Sequence, residues 1–219
     1  MTNQKANCDQ KLVRRVITLW DWPAKARSRA NLASRCDPSG GAKLCYRTRM
    51  VDDALDAGHW DAVEEATELL HEERYHEALE NLRDVIKQDN KNPYAFYFLG
   101  VALFEVGELP GARDAYRACL TRAPEHLGAR VAMCHVMRSL GELRDALREG
   151  MTALSQVPGD GDALHAVGLV YHARGDLVAA RRYLDAFLAS GPEYEVGHEV
   201  QMLLATFNDQ PRTPELEPS

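Results

Sequence analysis

The chain has 219 residues, 45% hydrophobic and 27% charged, enough to bury a sizeable core as one domain plus change or as one elongated array. The net charge is −7, the five cysteines are too few and too scattered for a disulfide framework, and no run of about 18 apolar residues offers a membrane-spanning helix. A reducing, cytoplasmic setting without a secretory signal is expected.

Charge divides the chain. Residues 1–49 hold 11 Lys+Arg against three Asp and no Glu, whereas residues 50–219 hold 15 against 30 acids. An acidic body repels nucleic acid and anionic lipid, so no nucleic-acid partner is expected for it; a basic arm attracts both or folds back on the body. The break near Met50 is a boundary. The leader, 1–49, is a basic disordered arm, a folded element, or a stretch upstream of a native start at Met50. Within it, Lys11 to Trp20 has the spacing of a short basic amphipathic helix with Leu12, Val16 and Leu19/Trp20 on one side. Cys8, Cys36 and Cys45 show no C-x-x-C spacing. Ser39-Gly40-Gly41-Ala42-Lys43 lacks the spacing and the preceding strand of a phosphate loop, and reads as a flexible turn. Residues 50–58 form a junction.

Beyond the junction the sequence repeats. A shift of 34 residues superposes Gly107-Glu108-Leu109, Gly141-Glu142-Leu143 and Gly175-Asp176-Leu177. Ala78, Ala112, Ala146 and Ala180 recur at the same stride, as do Pro124, Pro158 and Pro192, with Asn90 one stride earlier. Inside each period the apolar spacing is helical. Tyr94 to Val106 is apolar all round, as a helix buried on most faces is. Gly107 ends that helix. A second helix is predicted from about Leu109 to Arg122, with Pro124 stopping it. The brick is helix, Gly turn, helix, Pro turn.

A helix-turn-helix of this length resembles the tetratricopeptide repeat. In 93–126, Phe96 stands where the family favours Trp, Leu99-Gly100 matches its Leu-Gly pair, Leu103 its Tyr, Ala112 its small residue, Tyr116 its aromatic and Pro124 its closing Pro. The unit 127–160 carries Met133-Cys134, Met137, Ala146, Gly150 and Pro158; the unit 161–194 carries Val167-Gly168, Tyr171, Gly175, Ala180 and Leu184. The unit 59–92 is degraded: Glu65 replaces Leu, Glu73 replaces Gly and Asn90 replaces Pro. Asp61 and Glu64 are placed as a capping box for its first helix. The resemblance implies an all-α fold, an α-solenoid of four such units, closed by a capping helix at 193–207. Val196, Val200, Leu203, Leu204 and Phe207 form that helix's apolar stripe, and 208–219 reads as a disordered tail.

In this family the first helix of each pair lines a concave groove. Projected onto this chain, the groove residues are Tyr94, Tyr97, Val101 and Phe104, then Val131, His135 and Arg138, then Asp162, His165, Leu169 and His172. The groove is expected to be aromatic early and histidine-rich later, with exposed histidines making binding pH-dependent near 6–7. Replacing Tyr97 and Phe104 by Ala is expected to abolish capture of a partner while helicity survives. The Lys/Asn/Arg clamp with which some members hold a chaperone carboxyl terminus is missing: Val63, Tyr97, Val131 and His165 stand at the place of its first Lys.

Chemistry is weakly supported elsewhere. His71 and His76 are five apart, not the four of a zincin helix. His165 and His172 lie two helical turns apart, too far to share one zinc ion. Cys119 and Cys134 occupy packing positions. No cofactor, metal site or catalytic constellation is expected. The reading is a non-enzymatic interaction module that binds a helical or extended peptide in its groove. Rival readings are a small chaperone for secreted substrates and a regulatory or scaffold subunit. A second copy of the chain is among the partners considered.

Overall fold

The structure, a computed structural model, describes residues 56–207. The leader with Lys11–Trp20, its cysteines and its glycine turn, the start of the junction and the tail at 208–219 lie outside them. The fold is all-α, an α-solenoid of helix pairs in tandem, and no strand occurs among the described residues. The helices are α1 (Glu64–His71), α2 (Tyr75–Gln88), α3 (Pro93–Glu105), α4 (Leu109–Arg122), α5 (Leu127–Ser139), α6 (Leu143–Gln156), α7 (Gly161–Ala173), α8 (Leu177–Ala189) and α9 (Tyr194–Thr206). The starts of α2, α4, α6 and α8 keep the 34-residue stride, and so do those of α3, α5 and α7. None of the described helices is long and apolar enough to cross a membrane. The chain divides into two compact units, Met1–Ala132 and Met133–Ser219.

The turn inside each pair has one geometry. At Gly107, Gly141 and Gly175 the backbone takes φ of 85°, 80° and 81°. The following amide reaches back to the helix: Glu108 N–H to the Leu103 carbonyl, Glu142 to Met137, Asp176 to Tyr171. This is the Schellman ending, which satisfies carbonyls the helix leaves open. The first pair makes the same bond, Arg74 N–H to the Leu69 carbonyl at 2.9 Å, but with Glu73 at φ 60°. A side chain is held there in the left-handed region that glycine occupies in the other pairs.

The turn between pairs is closed by the residue before each first helix. Asn92 accepts from the amides of Tyr94 and Ala95, and Asp160 accepts from that of Ala163. His126 takes the same place, its Nδ1 accepting from Ala129 N–H at 3.1 Å. These three caps share the 34-residue stride. The capping box expected for the first helix of the unit 59–92 does not form. Asp61 lies in a helical segment at 56–61, the backbone breaks at Ala62 and Val63, and α1 starts after Val63 with no side-chain cap.

In the first unit, α3 packs against both α2 and α4, so nine of its thirteen residues are buried. Gly100 allows the closest approach: a Cβ there would meet the Tyr116 ring at 2.6 Å. Trp60 makes edge-to-face contacts with Tyr94 and Phe98, and Tyr97 lies against Phe98, Tyr116 and His126. Such pairs contribute roughly 0.5–1.5 kcal/mol each beyond their burial. Arg122 lies 3.9 Å over the Phe96 ring and donates from Nε to the Asn90 carbonyl, tying the end of α4 to the start of its pair.

In the second unit, α7 packs on α6 and α8, and α9 packs on α8. Gly168 repeats the Gly100 arrangement against Leu184. Between them the sizes are exchanged. Cys134 stands one stride from Gly100, and Gly150 stands one stride from Tyr116. A Cβ on Gly150 would fall 2.6 Å from Val167 and 3.2 Å from the Cys134 sulfur. The larger residue has moved to the first helix and the glycine to the second, so close packing survives. On α9, Val196, Val200 and Leu204 are buried, while Met202 is 59% exposed. Phe207 stacks on His172, and Arg181 donates from Nη2 to the Leu204 carbonyl at 3.1 Å. A cation on the last carbonyls complements the helix dipole.

Candidate interaction surfaces

The expected groove residues separate by burial. In the first unit Tyr94, Tyr97, Val101, Phe104 and Val131 are all buried. Tyr94 donates from its hydroxyl to Asp56 Oδ1 at 2.8 Å, and burial pushes its hydroxyl pKa up. Tyr97 is held in the aromatic cluster. These five residues form core and offer almost no surface.

In the second unit His135 and His165 are also buried, with ring centroids 6.0 Å apart, and His165 stacks on Phe187 at 4.7 Å. Burial, with Arg138 nearby, holds the His165 pKa down to about 3 and that of His135 well below the ordinary histidine value. The expectation of exposed histidines titrating near pH 6–7 is thus corrected for both. The remaining four candidates reach solvent in part: Arg138 on α5, and Asp162, Leu169 and His172 on α7. They alternate cation, anion and apolar side chains, and their neighbours on α7, Ala163, Ala166, Val167 and Val170, are buried.

Two depressions in the first unit were not read from sequence. One, of about 460 Å3, lies between α2, contributing His76, Leu79, Glu80 and Arg83, and the α3–α4 corner, contributing Leu103, Val106, Glu108 and Gly111. The other, of about 400 Å3, lies on α1 and α2 and is lined chiefly by Glu65, Glu68, Glu72, Glu77, Glu80 and Asp84 around Leu69 and Arg74. Arg74 pairs with Glu72 and Glu77, and its hydrogen bond lowers the Glu77 pKa. The signal was present in the sequence. Glu65, Glu68 and Glu72 replace Leu99, Ala102 and Val106 of the next period.

His71 ends α1, bonded through Nδ1 to the Thr67 carbonyl, whereas His76 lies on α2; they share no helix face. Among the described residues no three His, Cys, Asp or Glu side chains gather where they could hold one metal ion. Cys119 and Cys134 are buried thiols whose pKa burial pushes up to about 12. That keeps them protonated and poorly nucleophilic at neutral pH.

Solved structures share the helix-pair architecture. One is MamA, residues 41 to the end, from Desulfovibrio magneticus RS-1, 20% identical, TM-score 0.60, covering 69% of this chain and 85% of that one. Another is TTC0263, a thermophilic tetratricopeptide protein of Thermus thermophilus, 21% identical, TM-score 0.59, with the same coverage of both chains. A third is YrrB, described as a tetratricopeptide protein with an unusual peptide-binding site, 20% identical, TM-score 0.57, covering 70% of this chain and 77% of that one. Among curated proteins none matches the chain. The family pattern described as "Tetratricopeptide repeat" matches residues 63–126 and 135–195, more than half of the sequence. With the constant stride, the shared Schellman turns and the small-residue crossings, this places the chain in the tetratricopeptide repeat family, whose fold is a scaffold for protein interaction.

Proposed function

We propose that the chain is a non-enzymatic interaction module, and that its second unit takes a helical or extended peptide segment across α5 and α7. The observation that carries this is the contrast in burial: Arg138, Asp162, Leu169 and His172 keep solvent contact, while Tyr94, Tyr97, Val101, Phe104, Val131, His135 and His165 are enclosed. An apolar patch flanked by groups of both charges suits an amphipathic segment, with Leu169 as anchor and Arg138 and Asp162 fixing its direction. Peptide binding by relatives supports the reading. YrrB is described by its peptide-binding site, and the first tetratricopeptide domain of Spaghetti (RPAP3) is bound to the HSP90 peptide SRMEEVD. This chain has His165 and Tyr97 where the clamp of carboxylate-binding members begins with Lys, so an internal segment is the better ligand.

The test is affinity capture with mass spectrometry, comparing the wild type with Arg138→Ala/Leu169→Ala. The double variant is expected to keep its helical spectrum and lose its captured partners. An unchanged capture profile would remove α5 and α7 from the binding site.

A further inference from the structure

The acidic depression on α1 and α2 has a counterpart in the same unit. Leu69, Glu72, Arg74 and Glu77 stand one stride before Leu103, Val106, Glu108 and Gly111. The later four are one wall of a crevice whose other wall is α2, and α2 packs against α3. The earlier four are therefore the wall on which a helix preceding α1 would pack. Among the described residues that place is open, and Glu65, Glu68, Glu72, Glu77 and Glu80 are exposed.

We infer that this open helix-pair face is the docking site of the chain's own basic segment Lys11–Trp20. Charge is the first argument. Where the next period presents Val106 and Gly111 to its neighbouring helix, this one presents Glu72 and Glu77, so an apolar helix would bury more carboxylate than Arg74 balances. A segment bearing Lys11, Arg14 and Arg15 brings the opposite charge. Shape is the second argument. Leu12, Val16 and Leu19 recur on one side of that segment, as on a second helix of a pair, and Leu69 is the apolar floor they meet. Reach is the third. The residues between Trp20 and Asp56 span up to about 120 Å when extended, and tethering in the same chain raises the effective concentration of the segment. Docking of this kind gives the first pair the neighbour that repeat stacking requires.

The experiment is hydrogen exchange on the full chain, wild type against Lys11→Glu/Arg14→Glu/Arg15→Glu, at low and high salt. In the variant, amides of residues 64–88 are expected to exchange about fivefold faster, the size set by losing a few screened charge pairs. High salt should produce the same change in the wild type. Adding Glu68→Lys/Glu80→Lys to the leader variant should restore protection. Exchange in 64–88 that is unchanged by the leader substitutions would overturn the assignment. So would a change confined to other segments. A protection that rises with protein concentration would give the face to a second copy and overturn docking within one chain.

Discussion

Gly100 and Tyr116 are in direct contact across the α3–α4 crossing: a Cβ added to Gly100 would lie 2.6 Å from the Tyr116 ring carbon Cε1. Both residues belong to the core, with Tyr116 fully buried, so neither can yield without moving a helix. Gly100→Ala is expected to destabilise the protein by about 2 kcal/mol. Combining it with Tyr116→Leu, the residue that faces Gly168, should recover part of that loss. Urea denaturation of the three variants checks both statements.

Glu73 offers the opposite case. Its φ of 60° holds a side chain where Gly107, Gly141 and Gly175 stand in the other pairs. Glu73→Gly is expected to stabilise the first unit by about 1 kcal/mol, read as a higher urea midpoint. Gly107→Ala should lower the midpoint by a similar amount.

Acid should weaken the fold before any carboxylate matters. His126 and His165 have folded pKa values of about 4 and about 3, both lowered chiefly by burial. Both lie below the ordinary value near 6.5, so between those limits the unfolded chain binds more protons. Stability is complete above about pH 6.5 and falls as pH drops toward 4 for His126 and 3 for His165. Each imidazole contributes a slope of up to about 1.4 kcal/mol per pH unit. Denaturation curves at pH 7.5, 6 and 5 should show the decline, and His165→Gln should flatten it. Equal midpoints at the three pH values would contradict the assignment of these rings as neutral in the fold, His165 buried and His126 half-buried.

Arg181 and Phe207 fix the end of α9. Arg181→Ala removes the donor to the Leu204 carbonyl and a guanidinium 5.7 Å from the Phe207 ring. A loss of about 1 kcal/mol is expected, and it should appear first as faster amide exchange in α9.

Replacing Tyr97 and Phe104 by Ala would not isolate binding from folding. Both are enclosed, at 4% and 3% exposure, and truncating each buried ring costs about 3 kcal/mol or more. The double variant should unfold cooperatively at far lower urea, and lost helicity is the measurement that shows it.

The parts of the fold legible from sequence are those fixed by local chemistry. Gly107, Gly141 and Gly175 announced the turns because a left-handed residue is most easily a glycine. The stride of Ala112 and Ala146 announced the crossings. His126 was not legible as a cap, because histidine is rarely used there and its acceptor nitrogen depends on its tautomer. The exchange of Cys134 and Gly150 needed the pair seen together, since either alone reads as a departure from the family. Surface was harder than fold. Phe104 and His135 share the register of Arg138 and Leu169, yet the former are buried and the latter reach solvent in part, and single-helix projection carries no information about that coverage.

Met202 occupies the position of Gly100, Cys134 and Gly168, one stride beyond the last of them. Any engineer wishing to lengthen this array by fusing further bricks after residue 207 meets a thioether at the seam where the incoming helix must nestle. Grafting therefore begins with Met202→Gly, or with a donor brick that supplies its own glycine opposite, as Gly150 does for Cys134.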